Sequence, residues 1–433
     1  MIGVPVLHSR GSISAKTFVF KTLESCGAES CWAKMCGACS TCREEFVAAT
    51  SGSKDRLDTV IASAGRFGDI VRRGQAVALA MLALVSTQCD QVTAQQSKDS
   101  PGSQLAPGQP TVEVVARGLA VPWALAFASD GRLFVTERPG RIRLVADGRL
   151  QREPIAVLRA VTHGIETGLL GLALDPRFDD NGFLYVCYTT ATPGGGIVNR
   201  VSRLTFRDGV AANETVVIDL PGTVQGHNGC RVKFGPDGKL YVSMGDQRQR
   251  ELAQQLGSLA GKIVRVNADG SVPTDNPFAG SPVYALGLRN PQGLAFDRKG
   301  RLIASDHGGD GHDEINHIRP GANYGWPRVE GKAGDARYTD PIIESGDDTW
   351  APSGIAIRGA ELFVTNLKGE RLLRMTLGPD LEVTHASALL VRKYGRLRDV
   401  VVGPDGALYI TTSNGDGGGE ARTADDRILK VTP

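Results

Sequence analysis

The chain has 433 residues, of which 41% are hydrophobic and 22% are charged, and its formal net charge is +2. The near-neutral charge gives no general attraction for nucleic acid, and no apolar run reaches the roughly 18 residues that a membrane span needs. The 54 glycines fall mostly in turn-like contexts. The composition therefore favours a soluble protein of one large domain or two to three ordinary ones, built from short strands joined by tight turns.

Residues 1–70 are interpreted as an N-terminal extension without an assigned function. They contain five cysteines between Cys26 and Cys42, including Cys36-Gly-Ala-Cys39-Ser-Thr-Cys42. Thiolates at such spacing can share a zinc ion or an iron–sulfur cluster. However, no histidine or second matched pair of cysteines lies close by, so we favour a non-native translated extension.

Residues 71–94 have the parts of a secretory signal peptide. A basic pair, Arg72-Arg73, precedes an apolar core at residues 76–85, and Val92-Thr-Ala94 supplies small residues for cleavage. Translation from Val71 would place this signal at the N-terminus. We therefore expect a periplasmic or secreted protein.

Cys89 offers a second way to process the signal peptide. Lipid attachment at Cys89 is the weaker alternative to cleavage after Ala94, because Gln88 is too large for the usual lipidation site. Residues 95–110 are rich in Ser, Gln, Gly and Pro, which is typical of a flexible linker.

Residues 111–433 contain six copies of one strand–turn–strand unit. Each has an apolar strand, a tight turn containing glycine, and a second strand of the type Leu-aromatic-Val, and successive copies begin about 45 to 60 residues apart. Repeats of this period cannot bury their own faces and pack around a ring. The pattern predicts an all-β, six-bladed β-propeller with four-stranded antiparallel blades. A pair of β-sandwiches is the alternative, but it would not need six similar hairpins.

The two ends of this domain are predicted to meet. Residues 427–431 should pair with residues 112–115 in one blade, which closes the ring and removes an open sheet edge.

Polar residues are concentrated on one rim of the predicted ring. Because each hairpin goes out and returns, residues before its first strand and after its second strand share a rim, and the Asp-Gly turns share the other. Ligand sites lie at such concave mouths. The polar residues of this rim are Glu166, His227, Arg289, Asn290, Arg396, Arg398, Lys368 and those at positions 246–250, 306–310 and 414–416.

Each of these residues also has a purely structural interpretation. A lone histidine in a β-protein is usually structural, although the flanking Gly226 and Asn228-Gly229 make an exposed, functional His227 equally plausible. Lys368, Arg396 and Arg398 could be solvated surface charges. Residues 306–314 have acids and backbone carbonyls that suit a hard cation such as calcium, or they form a turn-rich linker.

Several long motifs resemble the soluble quinoprotein glucose and aldose sugar dehydrogenases. The resemblance covers residues 111–433 and none of residues 1–94. This family implies a secreted six-bladed propeller that uses pyrroloquinoline quinone (PQQ) and calcium. The motifs are Gly168-Leu-Leu-Gly-Leu-Ala-Leu-Asp-Pro176, Gly261-Lys-Ile-Val-Arg-Val-Asn267, Leu288-Arg-Asn-Pro-Gln-Gly-Leu-Ala295, Asp313-Glu-Ile-Asn316 and Gly321-Ala-Asn-Tyr-Gly-Trp-Pro327.

The resemblance implies roles for the polar residues of the rim. His227 would be the base that takes the proton from the anomeric hydroxyl of an aldose, while hydride passes from C1 to the quinone and a lactone forms. Electrons would then go to an external acceptor. Several side chains would hold the cofactor, which carries three carboxylates; these are Lys368, Arg396, Arg398, Arg248 and His307. Arg248 is also the candidate for a catalytic cation near the quinone oxygens.

The metal sites that the resemblance implies use backbone carbonyls. Those of Gly308 and Gly309 would hold the catalytic calcium ion, and those of Glu314 and Tyr324 a second, structural one.

Four departures from the family pattern affect this transfer. Gly226 before the histidine matches the aldose-type branch rather than the glucose type, and Glu166 replaces a glutamine that contacts substrate. Gly309 stands where a proline is common, and Gln247-Arg248 fill the places of an Arg-Asn pair. The substrate-covering loops are short, which predicts a wide, open pocket.

Two other functions remain open from the sequence alone. A lactonase-like propeller hydrolase would also use calcium, and a non-catalytic binding propeller could keep the fold without the cofactor. We expect a small-molecule aldose substrate, no nucleic-acid partner, no stable membrane span, and a monomer or homodimer.

Overall fold

The computed structural model describes residues 110–161, 163–420 and 425–433. The N-terminal extension, the cysteines from Cys26 to Cys42, the signal peptide with Cys89, and the linker up to residue 109 lie outside the described residues. The rest forms six antiparallel sheets. This confirms the predicted six-bladed β-propeller.

The first three blades follow the first strand of the domain, β1 (Thr111–Arg117). Their strands succeed one another in chain order within each sheet. Blade 1 contains β2 (Pro122–Phe127), β3 (Leu133–Glu137), β4 (Arg141–Ala146), β5 (Arg149–Leu150) and β6 (Ala156–Val157); blade 2 contains β7 (Leu169–Leu174), β8 (Phe183–Ala191), β9 (Ile197–Arg207) and β10 (Val210–Pro221); blade 3 contains β11 (Val232–Phe234), β12 (Leu240–Met244), β13 (Lys262–Val266) and β14 (Val283–Leu286).

The last three blades repeat this arrangement, and the sixth takes its outer strand from the start of the domain. Blade 4 contains β15 (Pro291–Phe296), β16 (Leu302–Asp306), β17 (Glu314–Ile318) and β18 (Ile343–Glu344); blade 5 contains β19 (Pro352–Arg358), β20 (Glu361–Asn366), β21 (Arg371–Leu377) and β22 (Val383–Leu389); blade 6 contains β23 (Leu397–Val402), β24 (Leu408–Thr412), β25 (Arg427–Thr432) and β1.

The ring closes as the sequence predicts. Strand β1 pairs antiparallel with β25, with Thr111 opposite Thr432 and Val112 opposite Val431. The first strands of neighbouring blades contact each other all the way round, in the order β2, β7, β11, β15, β19, β23 and back to β2. These six strands therefore line the central axis.

The Asp-Gly turns of the hairpins have a common chemistry. In blade 3 the Asp237 carboxylate accepts hydrogen bonds from the Lys239 N–H (3.1 Å) and the Tyr241 hydroxyl (2.9 Å), while Gly238 has a φ of 71°. Such a left-handed φ is readily adopted only by glycine. Asp405 and Gly406 repeat this pattern in blade 6, again with a tyrosine, Tyr409.

Three details differ from the strand pattern expected from the sequence. Blade 1 has a fifth strand, because both β5 and β6 pair with β4. Strand β17 begins at Glu314, so only residues 307–313 of the expected metal loop are irregular. Short helical turns occur at Phe178–Asn181, Arg250–Gln254 and Asn414–Asp416.

Among the described residues, no helix combines the length and the apolar character needed to cross a membrane.

Candidate active site

His227 lies in the loop before β11, and Asp246 lies directly after β12, so the hairpin brings them to one rim. The Nδ1 atom of His227 is 2.7 Å from Oδ1 of Asp246, and both side chains are buried. The segments pack backbone to backbone, since a Cβ added to Gly245 would lie 2.1 Å from the His227 carbonyl oxygen. Only glycine therefore fits between β12 and Asp246.

Asp246 is held from three sides. Its Oδ2 accepts a hydrogen bond from Trp326 Nε1 (2.9 Å), and its Oδ1 accepts one from the Arg248 N–H (2.9 Å) as well as facing His227. Burial opposes ionisation, but the His227 ring and these donors hold the pKa of Asp246 below its ordinary 3.8. The carboxylate is therefore ionised at neutral pH and faces Nδ1 of His227.

The other ring nitrogen of His227, Nε2, has no hydrogen-bond partner in the described part of the chain. In the tautomer that donates from Nδ1 to Asp246, Nε2 carries the lone pair. His227 can thus accept a proton from a ligand placed against Nε2.

Glu166 supports His227 from the neighbouring blade. Its carboxylate accepts hydrogen bonds from the His227 N–H (2.9 Å), from Asn290 Nδ2 (3.1 and 3.2 Å) and from Gln292 Nε2 (3.1 Å). Both Glu166 and His227 have left-handed φ values, 55° and 58°. The carboxylate therefore fixes an otherwise unfavourable backbone conformation at the histidine.

Arg398 and Arg396 share one carboxylate. Asp416 Oδ2 accepts from Nη2 of Arg398 and Nη2 of Arg396, each at 2.9 Å, and Arg398 Nη1 donates to Gln292 Oε1 at 2.7 Å. Burial lowers the pKa of Arg398 to about 10 despite Asp416. Two guanidinium groups facing one carboxylate leave a net positive charge beside Glu166 and His227.

His307, directly after β16, is close enough to Glu166 for the two side chains to interact electrostatically. Burial lowers the pKa of His307 to about 4, so the ring is neutral at neutral pH. Its Nε2 is buried and has no hydrogen-bond partner among the residues that the structure describes. This atom is available to a ligand.

The Gly308-Gly309 loop is tied down by Asp313. The carboxylate of Asp313 accepts from the Gly308 N–H (2.9 Å) through Oδ1 and from the N–H groups of Trp350 (2.6 Å) and Ala351 (2.9 Å) through Oδ2. A Cβ on Gly308 would lie 1.8 Å from the Gly311 carbonyl oxygen. Within the described ranges, neither glycine's carbonyl oxygen accepts a hydrogen bond.

Glu314 begins β17, Tyr324 lies between β17 and β18, and both residues are buried. The buried Glu314 carboxyl accepts hydrogen bonds from the Gly331 N–H (2.8 Å) and Asn316 Nδ2 (2.9 Å), and burial raises its pKa to about 8. The Tyr324 hydroxyl donates to the His317 carbonyl at 2.6 Å. The Tyr324 carbonyl oxygen accepts no hydrogen bond from any described residue.

The structure thus joins part of the predicted set by direct contacts. Glu166, His227, Arg398 and Arg396 are connected through Asn290, Gln292 and Asp416. The side chains of Lys368 and Arg248 are exposed and have no ionic partner in the described part of the chain. No group of three or more His, Cys, Asp or Glu side chains within the described ranges could hold a metal ion, so a calcium site here would depend on carbonyl oxygens.

Sequence reasoning missed several residues that shape this site. It did not identify Asp246 as the partner of His227, nor Trp326, Gln292 or Asp313. It also missed the disulfide between Cys187 in β8 and Cys230, three residues after His227. These are the only two cysteines in residues 111–433. Two cysteines in a domain that is predicted to be exported were a signal that could have found the disulfide.

Comparison with known proteins identifies the family of the chain. Residues 119–421 match the family model described as Glucose / Sorbosone dehydrogenase. The aldose sugar dehydrogenase YliI of Escherichia coli K12 is 32% identical over 367 residues, which are 76% of this chain and 94% of that protein.

Two solved structures show the same fold along their whole length. An oxidoreductase described as a glucose dehydrogenase from Thermus thermophilus has a TM-score of 0.70 at 46% identity, covering 75% of this chain and 100% of that one. The PQQ-bound aldose sugar dehydrogenase of Streptomyces coelicolor has a TM-score of 0.69 at 39% identity, covering 76% and 99%. This chain therefore belongs to the glucose/sorbosone dehydrogenase family and is an oxidoreductase that acts on sugars.

Proposed function

We propose that the protein oxidises aldoses at C1 to lactones, with PQQ and calcium as cofactors, and passes the electrons to an external acceptor. The observation that carries the proposal is the buried His227–Asp246 pair, whose free Nε2 lies on the rim that also holds Arg396, Arg398 and Lys368. The names of the Escherichia coli relative and the Streptomyces coelicolor structure support the same substrate class and cofactor.

His227 acts as the general base in this proposal. The ionised Asp246 holds the Nδ1–H tautomer and stabilises the imidazolium that forms when Nε2 takes the proton of the anomeric hydroxyl. Trp326 Nε1 and the Arg248 N–H keep the Asp246 carboxylate in place. Glu166 holds the backbone of His227 and borders the space that the sugar would occupy.

The residues present fit a polyanionic cofactor. His307 Nε2 is a buried polar atom that lacks a described partner, and Arg398 is a buried guanidinium whose pKa is lowered by desolvation. A ligand could supply the missing partner of His307 Nε2, and an anion would offset the desolvation of Arg398. Together with Arg396 and the exposed side chains of Lys368 and Arg248, these two side chains would bind the carboxylates of PQQ. Arg248 is also proposed as the catalytic cation.

The donor set around Gly308 and Gly309 fits calcium, which prefers oxygen ligands. Their carbonyl oxygens accept no hydrogen bond from described residues, and Asp313 fixes the loop that carries them. The carbonyls of Glu314 and Tyr324 are proposed as ligands of a second, structural calcium ion. When bound, PQQ supplies the acceptor for the two electrons that leave C1, and calcium polarises its carbonyl as a Lewis acid.

We further propose that the protein works outside the cytoplasm, as a monomer or homodimer. The disulfide between Cys187 and Cys230 supports an oxidising compartment, because such bonds rarely persist in the cytosol. The predicted signal at residues 71–94 and cleavage after Ala94 would lead there.

Reconstitution tests the proposed function. Purified apo-protein with calcium and PQQ should reduce a dye when aldoses are added. The substitution His227→Asn, chosen because asparagine tolerates the left-handed backbone of this position, should abolish turnover. Asp246→Asn should lower kcat about 10²- to 10⁴-fold because it favours the wrong tautomer.

Titration of the same variants with PQQ, followed by its absorption spectrum, is the control. Both variants should bind PQQ as the parent does, since neither residue is proposed to hold the cofactor. Absence of any spectral change when PQQ is added to the parent protein would refute the proposed cofactor, and full dye reduction by His227→Asn would refute the proposed base.

A further inference from the structure

A second cavity lies on the propeller axis, at the opposite end from His227. Its volume is about 420 Å³, within the range of small-molecule sites. His227 lies before the start of β11, whereas the cavity lies near the end of that strand, beside the Asp-Gly turns. All six inner strands contribute to its walls, one residue from each being Phe127, Leu174, Phe234, Phe296, Ile357 and Val402.

The side chains that line this axial cavity are apolar except for that of Lys233, and backbone groups of the inner strands supply the rest of its polar surface. Lys233 is the only charged residue lining the cavity within the described part of the chain. Its side chain is exposed to the cavity and has no hydrogen-bond or ion-pair partner among the described residues. Folding does not require an unpaired ammonium group among apolar side chains. Lys233 is therefore a candidate for ligand binding.

The charges behind Lys233 do not neutralise it. Arg231 Nη1 lies 3.1 Å from Asp399 Oδ2, and that oxygen also accepts from the Leu125 N–H at 2.8 Å. Arg231 Nη2 is buried and lacks a partner in the described ranges. Two basic side chains, Arg231 and Lys233, therefore face one carboxylate, and a bound anion would offset the burial that lowers the pKa of Lys233.

The cavity is separate from the candidate active site. The Arg231 guanidinium lies 4.1 Å from the centre of the Trp123 ring, and Arg398 lies 6.0 Å from the same ring. Arg231 Nε also donates to the Gln292 carbonyl at 2.7 Å. These side chains fill the axis between the two mouths, and none of the residues proposed to hold PQQ, calcium or sugar lines the axial cavity.

We propose that the axial cavity binds a monoanionic amphiphile, an aliphatic carboxylate whose chain fills the apolar space and whose head group pairs with Lys233. A single excess basic group matches one carboxylate. The apolar side chains of the lining offer no partner to the hydroxyls of a sugar, and one excess basic group does not match the several carboxylates of PQQ. A cation is repelled by Lys233.

Calorimetry with straight-chain carboxylates tests this proposal on the apo-protein, so that the result does not depend on sugar oxidation. Octanoate should bind, and affinity should rise about fourfold for each methylene from butanoate to octanoate, as expected for apolar transfer. Lys233→Met should lose most octanoate binding, whereas Lys233→Arg should retain it. Lys239→Met, which removes the lysine of the adjoining turn, is the matched control and should bind like the parent.

Several outcomes would overturn the proposal. These are the absence of octanoate binding to the parent, equal binding by Lys233→Met, or binding of octan-1-ol as tight as that of octanoate. Dye reduction by reconstituted Lys233→Met should equal that of the parent. Loss of dye reduction in the parent would refute the proposed function while leaving the carboxylate site untouched.

Discussion

The carboxylate of Glu166 organises the residues around His227. Each of its three hydrogen-bond partners is a donor: the His227 N–H, Asn290 Nδ2 and Gln292 Nε2. Burial alone would raise the pKa of Glu166, but its electrostatic interactions with the His307 and His227 rings and the Arg398 guanidinium, together with the hydrogen bond from the His227 N–H, hold it below 4.5. Glu166 is thus anionic at neutral pH, and its charge matches the donors that surround it.

Glu166→Gln is therefore expected to damage the site although it keeps the size of the side chain. The amide NH₂ would face a donor, which costs about 1–3 kcal/mol for an unsatisfied buried group. Loss of the anchor on His227 should lower kcat about 10- to 100-fold by misplacing the base. Urea unfolding and dye-reduction kinetics measure the two effects.

The pH dependence distinguishes the carboxylate from a merely space-filling side chain. Because the folded-state pKa of Glu166 is below its unfolded value of 4.5, its stabilisation is present above pH 4.5 and is lost as pH falls through the folded pKa. The stability difference between parent and Glu166→Gln should shrink in acid. A difference that stays constant from pH 7 to pH 3 would contradict this role.

The sequence could predict His227 and its rim but not the partner of the histidine. The hairpin rule brings residues 246–250 to the same mouth, yet it cannot select Asp246 among them. That choice depends on the left-handed φ values of Gln247 (59°) and Arg248 (61°), which turn the chain after Asp246. Trp326 completes the pair from 80 residues away, a distance over which no sequence periodicity extends.

At the level of elements, the loop between β12 and β13 is built around a buried lysine. The Gly261 N–H donates to the Gly245 carbonyl at 2.9 Å and closes the loop. Lys262 Nζ donates to the carbonyls of Leu252 (2.8 Å), Ala253 (2.9 Å) and Ala260 (2.7 Å). Burial lowers the pKa of Lys262 to about 7, whereas three carbonyl acceptors favour its charged form.

Lys262→Met should loosen this loop and, through it, Asp246 and Arg248. Each carbonyl left without a donor costs about 1–3 kcal/mol, so the variant should unfold at lower urea concentration and be cleaved by protease within residues 246–260. Its kcat should fall while PQQ binding to the other cations persists. Lys299→Met, an exposed lysine in the turn between β15 and β16, is the control and should resemble the parent in all three measurements.

Residues 262–266 form strand β13, as their apolar pattern suggests. That pattern did not predict that the first residue is fully buried. A lysine at a strand end is ordinarily interpreted as solvated, and only the carbonyls of a loop folded over it make its burial possible.

The disulfide between Cys187 and Cys230 links β8 of blade 2 to the loop that carries His227. Both cysteines are fully buried, and they are 43 residues apart in sequence. A cross-link that closes a loop of this length stabilises by about 4 kcal/mol in the chain-entropy model. Replacing both with serine should lower the free energy of unfolding by about this amount, as measured in urea.

Reductant provides the control for the disulfide prediction. Dithiothreitol should shift the unfolding midpoint of the parent towards that of the double serine variant and should leave the variant unchanged. An equal shift of both proteins by reductant would show that the stabilisation has another origin.

For the whole molecule, the six-fold repeat in the sequence was enough to predict the ring, because units that cannot bury their own faces must pack on neighbours. The closing pair, β1 with β25, followed from the need to remove an edge. What the repeat could not predict are the departures from it. One departure is the extra strand β6 of blade 1, and another is that β17 begins at Glu314, inside the expected metal loop. Both depend on contacts within a single blade rather than on the shared pattern.

Ring closure leads to a prediction that compares two shortened chains. A chain beginning at Pro110 keeps β1, whereas a chain beginning at Leu119 lacks it and exposes the edge of β25, from which Leu429 and Val431 pair with Val114 and Val112. The first should match the full-length protein in thermal unfolding and in PQQ-dependent dye reduction. The second should unfold at least about 10 °C lower or associate through its open edge.

Adding the missing strand back separates an edge effect from a general effect of truncation. A peptide of residues 110–118 should restore the thermal stability of the chain beginning at Leu119, because it can pair with β25 by strand addition. A peptide with the same residues in scrambled order should not. If both shortened chains unfold at the same temperature, or if the scrambled peptide restores stability equally, the β1–β25 pair is not what holds the ring closed.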